Sequence, residues 1–74
     1  MKLAVKLFAT LRHSRFDQET LDLPDNSVVK DVVKLLEIPE KEAAILFINN
    51  RHAQLETILH EGDTLAIFPP VGGG

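Results

Sequence analysis

A single stretch of this sequence repeats its apolar residues at helical spacing. Plotted at about 100° per residue, Val28, Val29, Val32, Val33, Leu35 and Leu36 fall within an arc of about 160°, with Lys30, Asp31, Lys34 and Glu37 opposite. Valine is a poor intrinsic helix former, so packing must hold this helix rather than propensity. Pro24-Asp25-Asn26-Ser27 precedes it as a turn, with the Asn26 or Ser27 side-chain oxygen as the expected N-cap. Pro39 disfavours helical geometry at Ile38 and marks the expected end. With one helix available, the chain must lay it over one face of a sheet, the two-layer α+β arrangement.

The strands are read from period-two alternation. Lys2–Phe8 places Leu3, Val5 and Leu7 on one face and Lys2, Ala4 and Lys6 on the other. Alternation fails over 9–18 and resumes over Glu19–Leu23, so the first two strands should form an antiparallel hairpin with a long loop. Ile45–Ile48 is a continuous apolar run that ends in Asn49-Asn50, residues that tolerate the left-handed conformations of tight turns. Arg51–Gln54 reads as a short returning strand, Leu55–His60 as an irregular or single-turn segment, and Glu61-Gly62-Asp63 as a turn in which the two acids are polar turn residues. In Thr64–Phe68, Leu65 and Ile67 share one face, with Thr64, Ala66 and Phe68 on the other. The expected fold is a mixed sheet of four to five strands on one main helix, its uncovered face partly apolar through Ala4, Ala66 and Phe68.

Composition narrows the function classes. The chain has 74 residues, no cysteine and a formal charge of −3 from 8 basic and 11 acidic side chains. Without thiols there is no disulfide framework, cysteine-ligated zinc or cysteine nucleophile. No dense Lys/Arg cluster provides a footprint on nucleic acid. No stretch approaches the roughly 20 apolar residues that span a bilayer, so a soluble cytoplasmic chain is the expectation. His13, His52 and His60 lack metal-ligand spacing and read as surface residues, so no metal site is expected. Arg12, His13 and Arg15 read as a solvated loop with the option of holding an anion. So small a core can hardly spare the supporting shell of an active site, which favours a carrier, modifier or binding module over an enzyme.

The chain ends Phe68-Pro69-Pro70-Val71-Gly72-Gly73-Gly74. The prolines cannot extend a sheet ladder, and terminal glycines have no side chain to bury and a large backbone entropy to lose. Residues 1–68 are therefore expected to form the single domain and 69–74 a flexible tail. Fully extended at about 3.3 Å per residue, that tail reaches about 20 Å, enough to carry the Gly74 carboxylate into another protein. Glycine also lacks the Cβ that a narrow tunnel would have to accommodate.

Over its full length the chain resembles the MoaD/ThiS family of ubiquitin-like sulfur carriers, which share the β-grasp fold. The resemblance is carried by Leu7-Phe8-Ala9-Thr10-Leu11-Arg12, the Val-rich helix, Ile48-Asn49-Asn50, Glu61-Gly62-Asp63-Thr64-Leu65 and the Phe68–Gly74 ending. The Phe-Ala-x-x-Arg segment and the Phe-Pro-Pro-Val-x-Gly-Gly ending are closer to the molybdopterin synthase small subunit than to the thiazole-pathway carrier. Asn50 stands where the family often has glycine, and Gly72 fills a variable position, leaving the register of Gly73-Gly74 intact.

The resemblance implies that Gly74 is adenylated by a MoeB/ThiF-type enzyme using ATP and magnesium and then becomes a thiocarboxylate, with no cofactor bound by the carrier itself. It implies a sulfur acceptor such as a MoaE-like molybdopterin synthase large subunit, into which Gly73 and Gly74 are threaded. Phe8 and Phe68 match positions that face partners in the family, with Arg12 as a polar rim contact and Pro69, Pro70, Val71 and Gly72 as the rest of the partner-binding segment. The residues alone leave Phe8 and Phe68 open to an ordinary core role. Two rival functions also stay open: a protein modifier joined through Gly74 to lysines, and a β-grasp binding module whose tail is incidental.

Overall fold

The computed structural model describes residues 1–70 of the chain. It begins with β1 (Lys2–Leu7), in which Leu3, Val5 and Leu7 are buried and the alternate residues face away from the core. A 3₁₀ turn (Ala9–Arg12) leads to β2 (Gln18–Asp22), which pairs antiparallel with β1 through Leu3↔Leu21 and Val5↔Glu19. Helix α1 (Val29–Leu35), a second 3₁₀ turn (Glu40–Glu42), β3 (Ile45–Ile48), β4 (Arg51–His52) and β5 (Thr64–Phe68) follow. The sheet order is β2-β1-β5-β3-β4, with β1 and β5 parallel and the other neighbours antiparallel. This is the β-grasp arrangement of one helix on a five-stranded mixed sheet.

The core is the meeting of three apolar rows. Val5↔Leu65 and Leu7↔Ile67 are neighbours across the parallel pair, and Val29, Val32 and Val33 of α1 join them in one fully buried cluster. Burying a valine contributes about 1.5–3 kcal/mol. Its helix-propensity deficit is at most about 0.7 kcal/mol. Packing therefore wins, and seven residues of valine-rich helix persist that would not hold a helix alone.

Several boundaries differ from the sequence expectation. β1 stops at Leu7, and Phe8 begins the turn; β2 starts one residue early, and Leu23 lies past its end, held by its N–H to the Met1 carbonyl at 2.8 Å. The helix is shorter than its apolar arc, and Leu35, at the edge of that arc, is 57% exposed.

Neither Asn26 nor Ser27 caps α1. The N-cap is Val28, whose N–H donates to the Asp31 carboxylate at 2.8 Å, and the amides of Val29 and Lys30 donate to the carbonyls of Thr57 (3.1 Å) and Leu55 (2.8 Å). Those first-turn amides have no intrahelical acceptor and take the nearest carbonyls. Here a segment distant in sequence supplies them. Ser27 instead turns its hydroxyl to the Pro24 carbonyl at 2.7 Å.

The helix ends before Pro39 acts. Glu37 adopts a left-handed backbone (φ +57°), its N–H reaches the Lys34 carbonyl, and the Ile38 N–H reaches the Val33 carbonyl, both at 3.0 Å. This is the Schellman pattern, with buried Ile38 as its apolar contact. Arg15 completes the cap: Nε donates to the Leu36 carbonyl (3.1 Å), Nη2 to that of Glu37 (3.2 Å) and Nη1 to that of Leu11 (3.2 Å). The expectation of a solvated or anion-holding Arg15 is thus corrected, because its guanidinium is engaged by carbonyls.

Turns hold the two ends of the sheet in register. Asn49 and Asn50 are both left-handed (φ +51° and +67°), the geometry of a two-residue hairpin turn between β3 and β4. The buried Asp63 carboxylate accepts from Asn49 Nδ2 at 2.9 Å and from the His60 N–H at 2.8 Å. Glu61 accepts from the Lys2 N–H at 2.9 Å.

Two substitutions test this account by urea denaturation. Glu37→Gly removes the left-handed strain and is expected to raise stability by about 0.5–1 kcal/mol. Arg15→Met leaves the carbonyls at the end of α1 without their charged donor and is expected to lower it by about 1–3 kcal/mol.

Candidate functional site

Because β1 and β5 run parallel, their last residues end side by side. Phe8 and Phe68 project onto the sheet face that α1 leaves uncovered, and their rings stack with centroids 4.1 Å apart and planes 8° from parallel. Phe47 of β3 meets Phe68 edge-on at 5.9 Å and His52 of β4 edge-on at 5.5 Å. Lys6, Thr64, Ala66, Asn49 and Asn50 complete a shallow depression around the rings. All four rings are thus on one side of the sheet, opposite Leu65 and Ile67.

The core alternative for Phe8 and Phe68 does not hold, since both are half-buried against each other and open to solvent on the free face. The backbone of Phe8 is extended (φ −127°) and that of Ala9 left-handed (φ +53°), so the chain turns sharply just after the ring. Left-handed geometry costs an alanine on the order of 1 kcal/mol. Here it lets Phe8 stay over the sheet while Leu11 enters the core.

Arg12 stands at the rim. Its Nε donates to the Leu7 carbonyl at 2.7 Å, it pairs with Asp17 at 3.5 Å, and its guanidinium carbon lies 5.4 Å from the Phe8 ring centre. That placement fits a polar rim contact supporting an aromatic anchor. Pro69, half-buried, and Pro70, exposed, continue from β5 beside the rings. Val71, Gly72, Gly73 and Gly74 lie outside the described residues.

Sequence reasoning missed Phe47. It sat inside an apolar run whose two faces cannot be told apart by composition. The usable signal was its phase: Leu46 and Ile48 pair with Ile67 and Leu65 of the core, so Phe47 points the other way. Chemically the patch offers stacking area, an apolar floor and cationic side chains. Among the described residues no cluster of three or more histidine or acidic side chains is placed to hold a metal ion, and no helix is long and apolar enough to cross a membrane.

A family model described as the ThiS family matches residues 5–74. Among solved structures, the chain is similar to one from Pyrococcus furiosus ascribed to molybdopterin converting factor subunit 1, with 27% identity, 96% of this chain and 99% of that one covered, and a TM-score of 0.78. It is similar to small archaeal modifier protein 1 from Haloferax volcanii at 27% identity, covering 95% and 98% of the two chains with a TM-score of 0.76. A complex of subunits 1 and 2 of the molybdopterin-converting factor from Helicobacter pylori, at 24% identity with both chains fully covered and a TM-score of 0.66, shares the fold. No curated protein sequence matches the chain.

The stacked rings should be energetically coupled. A double-mutant cycle with Phe8→Leu and Phe68→Leu, read by urea denaturation, is expected to give a coupling of about 0.5–1.5 kcal/mol.

Proposed function

We propose a function from one premise: the chain belongs to the ThiS family of ubiquitin-like sulfur carriers, small proteins that act as carriers rather than catalysts. Gly74 carries the reactive group. Its carboxylate attacks the α-phosphate of ATP in a MoeB/ThiF-type enzyme, with magnesium held by that enzyme, and pyrophosphate leaves. Hydrosulfide then attacks the acyl carbon, AMP departs with the carboxyl oxygen it had captured, and a thiocarboxylate results. The activation is needed because a free carboxylate has no adequate leaving group, whereas the mixed anhydride has one.

The observation that carries this reading is the position of the aromatic face beside the root of the tail. Phe8 and Phe68 flank the point where Pro69-Pro70 leaves β5, so a partner gripping the rings also holds the root of the segment that carries Gly74. Four extended residues beyond Pro70 reach about 13 Å. That distance suits a recessed active site, and Gly73-Gly74 fits a narrow one. The acid–base groups for later steps belong to the partner.

The acceptor we favour is a molybdopterin synthase large subunit, MoaE-like, in which the thiocarboxylate sulfur attacks the pterin precursor. The likeness to the Pyrococcus furiosus structure and to the two-subunit Helicobacter pylori complex supports it. A thiazole-pathway acceptor is the alternative within the same chemistry. The likeness to small archaeal modifier protein 1 favours a second reading, in which the activated Gly74 acylates a lysine amine with loss of AMP.

Intact-protein mass spectrometry after incubation with ATP, magnesium, sulfide and a MoeB/ThiF-type enzyme tests the proposal. The expected result is a mass gain equal to replacing one oxygen by sulfur, confined to Gly74 and abolished by deleting Gly73 and Gly74, with the fold unchanged by circular dichroism. High-mass conjugates that require the same two glycines would support the modifier reading. An unchanged mass, with the enzyme active on its own carrier, would overturn the carrier assignment.

A further inference from the structure

The open sheet face carries a charge pattern that the aromatic anchors do not explain. Lys6 lies on β1 between Ala4 and Phe8, half-buried in the floor of the depression. Its register neighbours are Gln18 of β2 and Ala66 of β5, both uncharged. Among the described residues no ion pair involves Lys6, whereas Arg12 is paired with Asp17 and Lys30 with Glu40.

The acids are elsewhere. Asp31 lies on α1, Glu37 just past it, and Glu40 and Glu42 in the second 3₁₀ turn, all exposed on the helical layer. Among the strand residues in register with this face the carboxylate is Asp22, opposite Lys2 at the far end from the rings, while Asp17 at the ring end is taken up by Arg12. A chain of net charge −3 therefore presents, in the floor of that depression, a lysine that forms no ion pair among the described residues. A lysine there keeps its stem on apolar surface and its ammonium in water, an arrangement that lasts only while the face is uncovered.

We propose that Lys6 is a specificity-determining residue of the docking face, selecting a partner protein that presents an Asp or Glu side chain into the depression beside Phe8 and Phe68. The assignment rests on the reading that this face receives the enzyme acting on Gly74. Covering an ammonium without supplying an anion costs free energy, and a facing carboxylate offsets it. A partner with an apolar or basic residue at that point is rejected by the same contact, so one side chain both attracts and excludes.

The test uses the full chain and the adenylating enzyme that thiocarboxylates it, reading kcat and KM for sulfur incorporation by mass spectrometry. Lys6→Gln should raise KM on the order of tenfold with little change in kcat, and Lys6→Glu should raise it further. Lys6→Arg should retain the wild-type KM within about threefold, as should the control Lys34→Gln on the helical layer. The fall of kcat/KM with added salt should be shallower in Lys6→Gln than in wild type. Zero-length carbodiimide coupling of the mixed proteins should join Lys6 to an aspartate or glutamate of the enzyme.

An unchanged KM for Lys6→Gln and Lys6→Glu, both folded by circular dichroism, would overturn the assignment and leave the carrier reading standing. Crosslinks that reach the enzyme only through other lysines would do the same. A concentration-dependent dimer of the chain alone, abolished by Lys6→Glu, would make a second copy the occupant and also overturn it. If the wild-type chain gains no sulfur at all, the carrier reading falls and the Lys6 assignment falls with it.

Discussion

The parallel pairing of β1 with β5 is the contact on which the rest of this protein depends. Its inward row, Val5, Leu7, Leu65 and Ile67, is the floor that α1 covers. Its outward row ends in Phe8 and Phe68, which stack because parallel neighbours finish at the same edge. An antiparallel pair would have sent the two rings to opposite ends of the sheet. One pairing thus builds the core on one side and the aromatic face on the other, and brings Pro69-Pro70 out beside that face.

A helix of seven residues needs help at both ends, and it obtains that help from distant loops as well as from its own flanks. The carbonyls of Leu55 and Thr57 receive its first amides, and Arg15 donates to the carbonyls at its last turn. These contacts tie α1 to the 55–57 segment and to the loop between β1 and β2, so the long loop after Phe8 is a fixed part of the domain. The same loop holds Arg12 against the Phe8 ring, which links the order of the helix end to the order of the rim.

The division between the two faces also explains how a small chain serves as a carrier. Its apolar residues cannot all be buried in one core of this size, and the surplus rings gather on the face that α1 leaves open.

Local pattern alone was enough to identify the strands, the single helix and the turn residues Asn49, Asn50 and Gly62, because alternation, helical spacing and left-handed preference are properties of neighbouring residues. It also placed Phe68 on the uncovered face, since Leu65 and Ile67 fix the phase of β5. The tail and the motif resemblance pointed to the family for the same reason, being contiguous in sequence. The helix caps, the engagement of Arg15, the exposure of Leu35, the inclusion of Phe47 and the lack of an ion pair at Lys6 among the described residues were decided only by the tertiary structure. Each depends on which distant segment supplies a carbonyl, a ring or a charge, and that is set by the parallel β1–β5 pairing, which no local period encodes.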